Sequence, residues 1–510
     1  MTVQQPVEFD EAEKLDHPSR SDGFVRGLSE AIGGPLGEHA VGYDRPWSRW
    51  RGRFWTASRI VLALTCLTLA LHWVQKSPCR DGAWQNNVQY TRFCYTDVLA
   101  LYYAEGLNEG KVPYRDHAVE YPVVTGYFMG ALGLPVHDLG TARPEINQAT
   151  WFYNLNAVVL GVLAVATVAV ILSLRRRRPW DAAMFALSPA LLLTATVNWD
   201  LLAIGFAAFG LYAWARQRPV LAGTLLGIGC AAKLWPLFLL GAIFVLAVRT
   251  NRWRAPLTTV GAFVGTWLAV NLPVMILYYE SWNRFRELNS TRAIDWGTLW
   301  YIGRYLDGKW NTGVPGDQGP FQWLSNNIPT LNTLSYVLFG LACVAIAALA
   351  VLAPRRPRLA ALAFLIVAAF LIFSKVWSQQ FVLWLLPLAV LARPRWGAFL
   401  AWQVAEVCYF VAFYGELLGA TTQKPVFPEG VFVLASTLRW VTVAVLCGLV
   451  VRDILRPERD VVRHTYDDDP DGGVFSGAPD AGWLRRRRGS PGAEEPPAVP
   501  AVGTPAPLTG

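Results

Sequence analysis

Between Cys79 and Pro122 the chain reads C-R-D-G-A-W-Q-N-N-V-Q-Y-T-R-F-C-Y-T-D-V and, further on, P-Y-R-D-H-A-V-E-Y-P. Asp97, Asp116, His117 and Glu120 stand there among Tyr90, Tyr95, Tyr102, Tyr103, Tyr114 and Tyr121. Carboxylates beside aromatic faces suit the binding of a sugar and the deprotonation of one of its hydroxyls. The stretch is polar, follows directly on an apolar run, and at about 45 residues far exceeds what a helix connection needs. It reads as half of an active site.

Such residues need elements to hold them, and composition says of which kind. Of 510 residues, 53% are hydrophobic and 16% charged, with a mean hydropathy of +0.29. Apolar runs recur from Phe54 to Val451 without strand-like alternation, so an all-α polytopic membrane protein is expected. The net charge of +8 comes largely from arginine clusters between the runs, which set topology and do not point to nucleic acid. Arg49, Arg51 and Arg53 place the N-terminus inside, and Arg175–Arg178, Arg249, Arg355, Arg393 and Arg452 mark later inner turns. About twelve crossings follow, with both ends inside. Tyr121–Val136 breaks the parity: if it crossed, Arg175–Arg178 would lie outside, so a re-entrant or interfacial segment is favoured. Residues 1–53 are expected as a mostly disordered cytoplasmic tail. Residues 54–451 form the transmembrane domain, with 75–120 as a structured first extracytoplasmic loop, and 452–510 read as a disordered, low-complexity cytoplasmic tail.

With the basic clusters inside, the outer turns are Asn198-Trp199-Asp200, Lys233-Leu234-Trp235-Pro236 and Lys375 to Gln380, plus a loop from about Glu280 to Asn327. Asp97, Asp116, Glu120, Asn198, Asp200, Lys233, Arg292, Lys375, Gln379 and Gln380 then share one face, although nothing in the placement required it. Ionisable residues at the ends of apolar spans mark a functional site unless they snorkel to the interface. Lys233 and Lys375 can grip a lipid phosphate, with Arg292 as a third cation. Asp97 is a base, a helix N-cap, or both, and Arg92 nearby in sequence would keep it ionised. Glu120 is the second candidate base. Tyr95, Asp116, His117, Tyr121, Asn198, Asp200, Gln379 and Gln380 are candidates for holding sugar and acceptor.

Of seven cysteines, five lie in apolar runs as small core residues, whereas Cys79 and Cys94 sit in the polar loop. In an oxidising compartment these two can pair, closing about 16 residues for roughly 3 kcal/mol. No spacing resembles a zinc site and the loop has no D-x-D, so neither metal nor cofactor is expected.

Four stretches in order carry a resemblance. They are Y-T-D-V with G-L-N-E-G-K-V-P-Y and E-Y-P-V, then V-N-W-D, then A-G-T-L-L-G-I-G-C-A-A-K-L-W-P, then K-V-W-S-Q-Q-F-V-L-W-L-L-P-L. Over about residues 55–450 the chain resembles glycosyltransferase family 87, which includes actinobacterial mannosyltransferases. The resemblance implies a GT-C-type helical bundle that takes a sugar, mannose most commonly, from a polyprenyl-phosphate donor. Arabinose or another pentose stays open. By the same resemblance Asp97 matches the catalytic base, Glu120, Tyr121 and Pro122 the E-Y-P turn, and Lys233 and Lys375 the donor-side lysines. Val123 departs from members that carry a second proline. The implied partners are the donor lipid, a glycan or glycolipid acceptor of the cell envelope, and the bilayer of the plasma membrane, with the active site facing outside. The implied reaction is a metal-independent, inverting transfer. A transporter or flippase of lipid-linked sugars is the alternative; it would place charges at mid-span and repeat its broken helices. A non-catalytic envelope scaffold is the third reading.

Overall fold

Long uncharged runs satisfy every backbone group internally only as helices, and the chain folds accordingly. The computed structural model describes residues 15–33, 55–82, 84–310 and 319–487. It is 78% helix and, among the described residues, contains no strand.

Among the described residues, six helices are long and apolar enough to cross a membrane. They are α1 (Ala57–Gln75), α4 (Gln148–Leu174), α8 (Arg254–Leu277), α10 (Ile328–Leu352), α13 (Trp396–Thr422) and α14 (Glu429–Leu455). Two helices serve the loop, the short α2 (Asp97–Ala104) and the longer α3 (Val123–Ala142), and α9 (Tyr279–Thr291) lies beyond α8. Five shorter apolar helices complete the set: α5 (Asp200–Ala215), α6 (Pro219–Ala232), α7 (Leu237–Thr250), α11 (Leu359–Phe373) and α12 (Val382–Ala392). All of α12 and nearly all of α11 are buried, whereas α10 buries only Leu331, Ser335 and Ala350. A helix that is apolar all round belongs inside, so the short pairs form the core and long helices wrap it. Small residues bring α6 against α8: a Cβ on Gly223 would lie 2.1 Å from the Thr259 carbonyl oxygen, and one on Gly227 2.8 Å from that of Phe263. That contact fixes the end of α6, and with it Lys233.

The segment expected to be re-entrant at Tyr121–Val136 is the helix α3, which continues through Pro135 to Ala142. Gly126, Gly130 and Gly133 face Tyr114, Pro113 and Leu107, and His137 Nδ1 meets the Asn108 carbonyl at 2.9 Å. Thr125 Oγ1 donates to the Ala232 carbonyl at 2.8 Å near one end, and Gly140 abuts Gln148 near the other. Thus α3 lies along the loop with both ends on the same side of the bundle. From there α4 runs to the arginines at 175–178.

The tail expected at 452–510 differs most from its reading. After α14 the chain forms a short helix, Val461–Tyr466, and buries Val462 and Phe475. Asp471 takes Arg175 at 2.6 and 2.7 Å, Asp480 takes Arg249 at 2.9 Å, Asp460 takes Arg358 at 2.7 Å and Asp468 takes Arg356 at 2.6 Å. These arginines are buried by the bundle, so water cannot neutralise them and each takes a carboxylate. An acidic run that looked solvated is their counter-charge. At the other terminus Asp16 pairs with Arg178, and Asp22 accepts from the Trp396 amide at 2.7 Å. Residues 1–14, 34–54 and 488–510 of the two expected tails lie outside the described residues, as does Phe54, the expected start of the first span. Among the five cysteines expected as core residues, Cys66 and Cys408 are instead exposed on the flank of the bundle.

Candidate active site

A cavity of about 700 Å³ opens at the loop end of the bundle. Asp97 lines it because Thr96 takes the N-cap of α2: Thr96 Oγ1 accepts from the Val98 amide at 3.2 Å and donates to the Thr196 carbonyl at 2.6 Å. The Asp97 amide donates to the Val197 carbonyl at 2.7 Å, which ties α2 to the turn before α5. The side chain of Asp97 is thereby released from capping. Its Oδ1 accepts from the Tyr95 hydroxyl at 2.8 Å and its Oδ2 from Asn198 Nδ2 at 2.6 Å. Burial pushes the Asp97 carboxyl above its ordinary range, opposed by those two donors and then by Lys233 and Arg292. These two cations, and not the expected Arg92, supply the positive field.

Asn198 joins the carboxylate to the first lysine. Its Oδ1 accepts from Lys233 Nζ at 3.0 Å, while Nδ2 also reaches the Tyr121 hydroxyl at 2.6 Å. Lys233 Nζ lies 4.9 Å from the centre of the Tyr121 ring and 3.6 Å from Asp200 Oδ1. Asp200 is fully buried behind the wall, where its Oδ1 accepts from Trp384 Nε1 at 2.6 Å. Across the cavity Lys375 Nζ donates to the Arg292 carbonyl at 2.5 Å, and the Arg292 guanidinium meets Asp295 at 3.3 Å. Gln379 and Gln380 line the same space, and Gln379 Nε2 meets the Tyr414 hydroxyl at 3.5 Å.

Glu120 is open to the cavity, and burial of its surroundings together with Asp97 raises its pKa. Its amide donates to Glu105 Oε1 at 3.4 Å, and Glu105 Oε2 meets His117 Nε2 at 3.1 Å. Burial raises the Glu105 carboxyl to about 7. His117 therefore braces the loop from behind and does not line the cavity. Asp116 is also outside it, exposed and paired with Arg115 at 2.8 Å, which holds its carboxyl down at about 2. Cys79 and Cys94 form a disulfide, next to Trp84, whose Nε1 donates to the Cys79 carbonyl at 3.1 Å. The structure thus brings together Tyr95, Asp97, Glu120, Tyr121, Asn198, Lys233, Arg292, Lys375, Gln379 and Gln380, seats Asp200 behind them, and leaves Asp116 and His117 apart.

Two participants escape the sequence reading. Lys76, fully buried, donates to the Tyr95 carbonyl at 3.0 Å; it ends an apolar run just as Lys233 does, so the same rule would have found it. Glu105 ends α2 in the pair E-G, where Gly106 takes a left-handed φ of +67°, and it looked like an ordinary helix terminus.

Leu234, Phe285, Leu288, Tyr336, Phe339 and Phe370 also line the cavity. No curated protein matches the chain. Residues 131–378, which hold Asn198, Asp200, Lys233, Arg292 and Lys375 but not Asp97 or Glu120, match the model of glycosyltransferase family 87, and that match identifies the chain as a glycosyltransferase.

Proposed function

We propose that the protein moves a sugar, mannose by its resemblance, from a polyprenyl-phosphate donor to a glycan or glycolipid acceptor of the cell envelope. The carrying observation is the single cavity in which Asp97, held only by neutral donors, faces Lys233, Lys375 and Arg292 beside an apolar wall. In this reading the lipid lies along Phe339 and Phe370 with its phosphate among the three cations. Asp97 takes the proton of the acceptor hydroxyl as that oxygen attacks the anomeric carbon. The bond from that carbon to the phosphate oxygen breaks, and the cations hold the departing phosphate. One displacement inverts the anomeric centre, and no step calls for a metal. Tyr95, Tyr121, Asn198, Gln379 and Gln380 orient the sugar and acceptor. We further propose a GT-C-type arrangement of twelve crossings, the broken stretch 179–197 being one of them, with the loop end outside the plasma membrane and the arginine end inside.

Purified protein in lipid nanodiscs, offered a panel of polyprenyl-phosphate sugars and envelope glycolipids, should transfer one of them with inversion. Transfer only from nucleotide sugars, or movement of lipid-linked sugar across a vesicle membrane without transfer, would replace this reading.

A further inference from the structure

The stretch Ser374–Ser378 and the 3-10 turn Gln379–Phe381 supply several cavity-lining residues, and Ser374–Ser378 is unwound between two buried helices. Unwound backbone inside an apolar bundle exposes carbonyls that no helix partner satisfies. Here the partner comes from elsewhere. Arg439, in the middle of α14 and fully buried, donates from Nη1 to the Trp377 carbonyl at 3.0 Å and from Nη2 to the Ser378 carbonyl at 3.1 Å. Its guanidinium lies over the rings of Trp377 (4.4 Å) and Tyr409 (4.2 Å). Its third side meets Glu406 Oε2 of α13 at 2.9 Å, and Glu406 Oε1 in turn accepts from Trp402 Nε1 at 2.9 Å.

The fork of a guanidinium can reach two successive carbonyls and a carboxylate at once, which an ammonium cannot. A buried ion pair is weak as a source of stability, since apolar residues of similar volume often do as well. Its geometry here serves to hold one backbone shape. From that shape a path leads on: Gln379 to the Tyr414 hydroxyl, that hydroxyl to the Tyr95 carbonyl at 3.3 Å, and the Tyr95 hydroxyl to Asp97.

We infer that Arg439, fixed by Glu406, is a positioning residue that holds Lys375, Gln379 and Gln380 in place for the donor phosphate and sugar. It touches neither substrate itself. The inference rests on the donor reading above, and its test separates the two.

The double variant Arg439→Met with Glu406→Gln removes both charges, so that no unpaired ion is left in the bundle, and releases the Trp377 and Ser378 carbonyls. Arg439→Lys keeps the ion pair but not the two-carbonyl fork, and serves alone if the double variant fails to fold. In nanodiscs, amide hydrogen exchange in the peptide covering 375–381 should rise while α13 and α14 stay protected. Donor KM should rise about 10- to 100-fold, the scale of one hydrogen bond to a charged group lost as Lys375 shifts, with acceptor KM unchanged. Arg439→Lys should fall between this variant and the parent. Unchanged exchange with an unchanged donor KM in a folded variant overturns the inference, as does loosening spread evenly over α13 and α14. Decaprenyl phosphate binding to the parent protein is measured alongside: its absence would sink the donor reading, while hydrogen exchange still decides the clamp.

Discussion

The two ends of the bundle treat charge in opposite ways. At the arginine end Arg175, Arg249, Arg356 and Arg358 each have a carboxylate at 2.6–2.9 Å. At the loop end Lys233 stands 3.6 Å from Asp200 and takes its short bond from the neutral Asn198, while Lys375 bonds a carbonyl. Asp97 likewise accepts from a hydroxyl and an amide and from no cation. One end has spent its charges on each other to close the fold. The other keeps Asp97, Lys233 and Lys375 on neutral short-range partners around a cavity, with Arg292 meeting Asp295 at 3.3 Å. Cations and carboxylates that a sequence displays alike are sorted by whether the protein supplies the counter-ion.

That contrast can be broken at either end. The largest effect is expected for Asp97→Asn, which keeps the shape and one acceptor oxygen for Tyr95 or Asn198 but cannot take a proton. Turnover should fall about 100- to 10,000-fold with donor binding retained. If turnover survives and Glu120→Gln is dead, the base is Glu120; if both variants stay active, the loop end is not catalytic. At the opposite end, Asp471→Asn leaves Arg175 buried without its carboxylate. Thermal unfolding should report a loss of about 3–5 kcal/mol, with turnover per folded molecule unchanged. A small loss there would mean that water reaches the arginine end after all.

Lys233→Ala and Lys375→Ala should each weaken donor binding by about 1.5–3 kcal/mol, the scale of a hydrogen bond to a charged group. Lys375→Ala should leave the unfolding midpoint nearly where it was, which sharpens the distinction from Asp471→Asn, whereas Lys233→Ala also takes the nearby cation from the buried Asp200 and should lower it. Unchanged affinity in both variants would return these lysines to snorkelling. The smallest effect concerns Glu105, whose carboxyl sits at about 7 in the fold against an ordinary 4.5. The folded state binds that proton more tightly than the unfolded chain does. Its stabilising contribution is therefore complete below about pH 4.5 and is lost as pH rises through about 7. Hydrogen exchange of residues 105–121 should accelerate over that window, and Glu105→Gln should flatten the dependence. A slope of the same size in the variant would assign the titration to another group.

Much of the loop end was legible in the sequence because its signals are local. Thr96 before Asp97, the Pro three residues past Lys233, and two cysteines in one polar stretch each speak for themselves. Short polar turns between apolar runs also predicted which residues would meet in the cavity. What stayed hidden depends on partners far along the chain. Asp471 is 296 positions from Arg175, and no local pattern distinguishes such an aspartate from a solvated one. Arg439 and Glu406 lie within apolar runs, a placement that itself marks a function, but only the packing of α13 against α14 says what they hold. Asp116 and His117 were misplaced for the same reason. Proximity in sequence to Glu120 does not fix which side of the loop a side chain faces, and Glu105 draws His117 to the back.

The acidic stretch from Asp460 to Asp480 also sets an order of assembly. Each of its residues is synthesised after the last apolar helix, whereas most of the arginines it neutralises were made long before. Until that stretch emerges, Arg175, Arg249, Arg356 and Arg358 have no carboxylate from it. The helices can be in place and the arginine end still open. A chain interrupted before Asp460 would carry every residue of the cavity and lack the carboxylates that pair with Arg175, Arg249, Arg356 and Arg358 at the opposite end.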